Sequence, residues 1–156
     1  MIVQLVLAFG LICATVVIHA LGTLETITHL ARVRQKRKGN QGLLALEIQI
    51  VRVVSVLLLL HLVEASVWAG IYLISGVLPD METAIYFSIT SYTTIGYGDV
   101  VLPPSWRLLG PIEAAVGILM FGWSTGIMVT VLTRIYGSRL RHSLDHSNER
   151  NQPGRA

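Results

Sequence analysis

The chain has 156 residues, 53% of them hydrophobic and only 13% charged, and its mean hydropathy is +0.63. An ordinary soluble domain carries about 25% charged residues, so a soluble fold is excluded and a membrane-embedded one with room for three or four spans is implied. The net charge of +3 is mild and calls for no nucleic-acid partner, and the single cysteine, Cys13, rules out a disulfide framework or a cysteine metal site.

Ile2 to Leu21 contains no charged residue, and about 20 helical residues match a hydrocarbon core of about 30 Å. Residues 1–22 are therefore expected to be a first transmembrane helix. The start "MIVQ" lacks the basic segment that opens a cleaved signal peptide. Residues 23–50 form a basic linker in which Arg32, Arg34, Lys36, Arg37 and Lys38 lie close together. The positive-inside rule places this linker in the cytoplasm and the amino terminus outside. The same residues could hold anionic lipid head groups at about 1 kcal/mol each, or do no more than set topology.

The second apolar segment, from about Val51 to Leu78, is interrupted by Arg52, His61 and Glu64. Trp68 and Trp106 read as anchors at the outer boundary. The third segment, Leu108 to Leu132, is bracketed by Arg107 and Arg134 and returns to the cytoplasm. On this topology every one of the twelve Lys and Arg residues except Arg107 lies on the inner side. Residues 137–156 are expected to be a short cytoplasmic tail, with His142 and His146 one helical turn apart in a solvated stretch.

Between the second and third spans lies "PDMETAIYFSITSYTTIGYGDVVLPPSW", too long for a turn and too short for two full crossings. A re-entrant hairpin fits. Asp80 is a suitable N-cap and Glu82 suits a first turn, so Met81 to Tyr92 is expected to be a half-helix of about 18 Å. Irregular backbone at membrane depth is tolerated only where it is buried in protein or lines a water-filled path. Gly96 and Gly98 permit left-handed backbone at little cost, which allows the carbonyls from Thr94 to Tyr97 to face one axis. The side chains of Ile95 and Tyr97 then point away into supporting protein, and the Thr94 hydroxyl adds an oxygen at the bottom. Several such strands around one axis would replace the water around a cation.

Thr94-Ile95-Gly96-Tyr97-Gly98-Asp99 resembles the selectivity filter of potassium channels. The order helix, half-helix, filter, helix over residues 51–136 is similar to the two-transmembrane pore module of bacterial potassium channels. The resemblance implies an all-α membrane protein with three transmembrane helices, a re-entrant pore helix and a filter loop per subunit. It also implies a homotetramer binding K+ ions at Thr94, Ile95, Gly96 and Tyr97. "GILMFG", Gly117 to Gly122, resembles the inner helix of that family. Gly117 is then a hinge candidate, and Ile118, Phe121, Thr125 and Val129 line the inner pore. Alternatively the glycines serve close helix packing, and Gly122 and Gly126 form a small-xxx-small pattern. Where relatives place a tryptophan pair in the pore helix this chain has Tyr86 and Phe87, and where some place a glutamate behind the filter it has Thr90. Bracing of the filter through Asp99, Thr90, Tyr86 and Glu113 must therefore differ. The first span has no counterpart in the minimal two-helix channels.

Two carboxylates fall within spans, where an acidic group costs about 3 kcal/mol and normally finds a partner in the protein interior. Glu113 is expected to brace the pore helix from behind through Thr90 or Ser88, or else to be a protonated packing residue. Glu64 lies one turn from His61, so the two could share a proton or a hydrogen bond and act as a proton sensor. No span carries arginines at every third position, so a voltage sensor is not expected. The expected function is passive potassium permeation in a bacterial inner membrane with the gating stimulus open; the alternative is a non-conducting or weakly selective channel-like subunit. Neither an enzymatic reaction nor an organic cofactor is expected.

Overall fold

The computed structural model describes the backbone of residues 2–36 and 43–151 and the side chains of residues 2–32, 44–133 and 136–137. The described residues contain four helices: α1 (Ile2–Lys36), α2 (Leu43–Ile74), α3 (Met81–Tyr92) and α4 (Leu109–Asn151). Three stretches are long and apolar enough to cross a membrane, Ile2–Arg32, Leu44–Ile74 and Leu109–Thr133. The chain is an all-helical membrane protein, with the short α3 set between the second and third spans.

Each long helix turns a narrow stripe inward. On α1 the buried residues are Ala8, Leu11, Thr15, His19 and Thr23, three or four apart as one helical face requires. On α2 the stripe runs Val53, Leu57, His61, Glu64, Ala65, Trp68, Ala69 and Tyr72, and on α4 it is Leu109, Glu113, Val116, Met120, Ser124, Ile127 and Val131. The outward faces carry exposed Val3, Val6, Phe9, Leu58, Leu59, Leu62 and Leu119, an apolar coat suited to lipid or to neighbouring chains. Every pair of helices is in contact except α1 and α3, so α2 and α4 hold the half-helix between them. The side-chain amide of Gln4 donates to the Ser105 carbonyl, which puts the start of α1 at the same end of the bundle as the loop after α3.

Helix boundaries depart from the lengths of the apolar runs. Helix α1 extends to Lys36 and α4 to Asn151, well past Leu21 and Leu132. Within the expected linker and tail, residues 23–36, 43–50 and 137–151 are thus helical. Glu, Arg, Lys and Leu are good helix formers, and a helix already nucleated in the membrane gains a hydrogen bond for each residue added. Helix α2 ends at Ile74, short of Leu78. There the amide of Gly76 donates to the Leu73 carbonyl and that of Val77 to the Tyr72 carbonyl, with Gly76 at φ +63°. That is a Schellman cap, whose left-handed position glycine occupies without strain. Trp68 is not an interfacial anchor: it is fully buried and its indole N–H donates to Thr15 Oγ1 at 3.1 Å, pinning α2 to α1. Trp106 is half-buried against the core.

Candidate functional site

The half-helix α3 is aimed by its cap and its flanks. Asp80 at the N-cap accepts from the Thr83 amide at 2.8 Å and from the Thr83 hydroxyl at 2.9 Å. Those bonds hold the Asp80 carboxyl below the usual aspartate value, where it complements the helix dipole as an anion. Ala84, Phe87, Ser88, Thr90 and Tyr92 face inward. At the far end the Thr93 amide donates to the Ile89 carbonyl, the Thr94 amide to the Ser91 carbonyl and the Gly96 amide to the Thr90 carbonyl. The loop is thereby tied to the carboxyl end of α3, where partial negative charge accumulates.

Beyond that tie the backbone alternates. Positive φ occurs at Thr94 (+62°), Gly96 (+51°) and Gly98 (+80°), with Ile95 and Tyr97 between them on the ordinary side of the map. Two of the three left-handed positions are glycine, where the geometry is nearly free; Thr94 is not, and left-handed geometry in a residue with a Cβ costs roughly 1–2 kcal/mol. Strain of this kind, held by the hydrogen bonds around it, marks functional loops. The sequence carried no signal for Thr94 adopting it. Ile95 is 54% and Tyr97 69% exposed, so the protein expected to support these side chains is not supplied by this chain. Asp99 accepts from the Tyr86 hydroxyl at 2.6 Å and from the Val100 amide at 3.0 Å, a bridge from the loop back to α3. The Tyr86 bond is the main reason the Asp99 carboxyl lies below the usual aspartate value.

Glu113 reaches α3 through Ser88, not through Thr90. The Thr90 hydroxyl is committed to its own helix, donating to the Tyr86 and Phe87 carbonyls at 3.0 Å each. Glu113 Oε1 meets Ser88 Oγ, and Glu113 Oε2 accepts from the Tyr72 hydroxyl at 2.8 Å. Ser88 Oγ also donates to the Ala65 carbonyl at 2.5 Å. A hydroxyl has one hydrogen, so both Ser88 bonds are made together only if Glu113 supplies a proton of its own. Tyr72 is a partner the sequence did not reveal.

Glu64 lies in a second cluster that draws on all four helices. His19 Nδ1 is 2.8 Å from Glu64 Oε1, and the Tyr92 hydroxyl donates to Glu64 Oε2. His61 Nδ1 lies 3.2 Å from the Tyr92 oxygen and 3.5 Å from Glu64 Oε2, so the link between His61 and Glu64 runs chiefly through Tyr92. Ser124 Oγ lies 3.1 Å from His61 Nε2 and 3.3 Å from His19 Nε2, closing the ring. His19 was missed in the sequence, although Thr15, His19 and Thr23 form a polar stripe at a spacing of four in an otherwise apolar span. Among the described residues no buried side-chain nitrogen or oxygen lacks a hydrogen-bond partner.

The inner-helix residues divide. Gly117 is needed for packing: a Cβ there would lie 2.0 Å from the Tyr92 carbonyl oxygen, so α4 crosses the foot of α3 at backbone contact. Helix α4 runs unbroken through Gly117. Gly122 and Gly126 have open space where a Cβ would be and serve no packing within the chain. Ile118, Thr125 and Val129 are exposed on the side of α4 away from Glu113 and Ser124, whereas the half-buried Phe121 packs its ring against His61 and Tyr92. Of the basic cluster, Arg32 is exposed, while the side chains of Arg34, Lys36, Arg37 and Lys38 lie outside the described residues, as do those of His142 and His146.

Two long apolar helices bracketing a capped half-helix and a loop of alternating hand make a pore-loop module. A protein-family model described as "Ion channel" matches residues 56–134, and the chain belongs to that family, with α1 as an additional apolar helix before the module. No solved structure matches the chain.

Proposed function

We propose that the chain forms a potassium-selective pore as a homotetramer, with residues 51–136 as its pore unit. The observation that carries the reading is the alternation of hand at Thr94, Gly96 and Gly98. Alternating hand turns successive carbonyls to one side, and stacked rings of carbonyl oxygens are what replace the hydration shell of K+. Thr94, Ile95, Gly96 and Tyr97 supply the ion-binding oxygens and Gly98 completes the turn. Asp99 and Tyr86 support the loop from the front, and Thr90, Ser88 and Glu113 from behind. Four copies are proposed because one chain carries one such loop and leaves Ile95 and Tyr97 uncovered, as surfaces that a neighbouring copy would cover.

On this reading Ile118, Phe121, Thr125 and Val129 face the inner cavity, and Gly117 keeps α4 against the filter foot. The amino terminus and the filter mouth lie outside, the carboxyl terminus in the cytoplasm, in a bacterial inner membrane, and Arg32 with its basic neighbours meets anionic lipid on the inner side. The test is flux from liposomes holding the purified chain. A potassium-loaded vesicle should release K+ and be blocked by barium, whereas the absence of both identifies a non-conducting subunit.

A further inference from the structure

We infer that His19, His61 and Glu64 form a binding site for one divalent transition-metal ion of the zinc type, behind the pore helix and separate from the filter. One donor atom from each of the three residues lies within 4.8 Å of the others. His19 Nδ1 and His61 Nδ1 stand 2.8 Å and 3.5 Å from the two oxygens of Glu64. In a tetrahedral zinc site with bonds of about 2.0–2.1 Å the ligand atoms sit about 3.3 Å apart, a value that the two histidine-to-carboxylate separations bracket. Two imidazoles, one carboxylate and no sulfur are the donor set of zinc rather than of potassium or magnesium, which take oxygen. The Tyr92 hydroxyl, which already meets Glu64 and lies 3.2 Å from His61 Nδ1, is the candidate fourth ligand.

Hydrogen counting shows that the ring has room for one more cation, a proton or a metal ion, which the metal count below tells apart. Five bonds join His19, Glu64, Tyr92, His61 and Ser124 into a ring. With the carboxylate ionised and both imidazoles neutral, the ring holds four hydrogens, one too few for its bonds. A metal on the two Nδ1 atoms and Glu64 removes that mismatch. Each imidazole then carries its hydrogen on Nε2, and both Nε2 atoms face the one oxygen of Ser124, which has two lone pairs to receive them. A partner that fixes the outer nitrogen of each histidine is what metal sites have in common. Ser124, 7% exposed, is set between the two rings by α4. His61 is 6% exposed, and its ring lies 4.2 Å from that of the half-buried Phe121. A bound ion would clamp α1 to α2 and, through Tyr92, to the foot of the filter loop.

The test uses the full-length chain, purified in detergent, stripped with a chelator and dialysed against Zn2+. Bound metal is counted by elemental analysis, and geometry is read from the visible spectrum after Co2+ substitution. The expected result is one ion per chain and a tetrahedral Co2+ spectrum. His19→Ala and Glu64→Gln should abolish binding, and Ser124→Ala, which keeps every ligand, should weaken it about 10–100-fold. Replacing His142 and His146 together by alanine should change nothing. Three outcomes would overturn the proposal: no saturable binding to the wild-type chain, affinity unchanged in Ser124→Ala, or binding lost with the tail histidines. None of these readouts requires conduction, so the site can fail while the proposed pore stands, and the reverse.

Discussion

The two sides of α3 differ in what a single chain can complete. Behind it, Tyr72, Ser88 and Glu113 and the ring around Glu64 are sealed, with each polar group answered by another from the same chain. In front of it, the loop from Thr94 to Gly98 holds a backbone of alternating hand, yet Ile95 and Tyr97 have no cover of their own. The rear is where the fold is decided, because buried polar groups left without partners cost about 1–3 kcal/mol each. The front is where an assembly would be decided, because its geometry acquires a use only when other copies face it. Substitutions behind α3 should therefore destabilise the subunit, and those in front should largely spare it and remove selectivity.

The largest effect is expected at the seam between the two sides. Gly117→Val would drive a side chain into the Tyr92 carbonyl, a backbone contact that no rotamer change relieves, and should cost about 3 kcal/mol or more. Thermal unfolding in detergent would register this as a large fall in midpoint. A hinge role without close packing would instead leave stability near wild type.

Next comes the rear itself. Glu113→Ala leaves the Tyr72 hydroxyl without a partner and Ser88 with only its bond to the Ala65 carbonyl, and should cost about 2 kcal/mol. Glu113→Gln keeps a donor for Ser88 and an acceptor for Tyr72 and should cost less than about 1 kcal/mol. Equal loss in the two variants by denaturant titration would show that an ionised carboxylate is required, contrary to the hydrogen count at Ser88.

In front, Gly96→Ala meets no neighbouring atom but must hold φ +51°, so the subunit should lose only about 1–2 kcal/mol while potassium flux disappears. Flux retained in this variant would separate the left-handed backbone from conduction. The smallest effect belongs to Tyr86→Phe, which removes the phenol that donates to Asp99. Asp99 is exposed and its pKa is depressed in the folded state, chiefly by that bond. Whatever it contributes is present above the ordinary aspartate range and is lost as pH falls through the depressed value. In Tyr86→Phe the acid limb of a flux-against-pH curve should move toward higher pH, and an unmoved limb would remove Asp99 from filter support.

Much of this arrangement is legible in the residues. Asp80 and Glu82 mark the start of α3 and the structure begins the helix at Met81; long apolar runs mark the three spans. What escaped is of two kinds. Helix ends beyond the membrane depend on propensity and capping rather than on hydropathy, so residues 23–36 and 137–151 read as linker and tail although they continue α1 and α4. Partnerships between distant helices leave only faint local traces. His19 and Glu64 are 45 positions apart, and only the spacing of Thr15, His19 and Thr23 pointed to a polar inner face. Glu113 could be placed behind α3 from its position in the span, but the choice of Ser88 over Thr90 turns on how helix faces meet, and Thr90 resolves it by bonding to its own backbone.

The most direct measurement is the reversal potential of the purified chain in a planar bilayer bathed by unequal mixtures of potassium and sodium. A loop whose carbonyls from Thr94 to Tyr97 stand in for potassium's water predicts a reversal that follows the potassium gradient and ignores sodium. A reversal midway between the two gradients, or current carried equally by both ions, would contradict it.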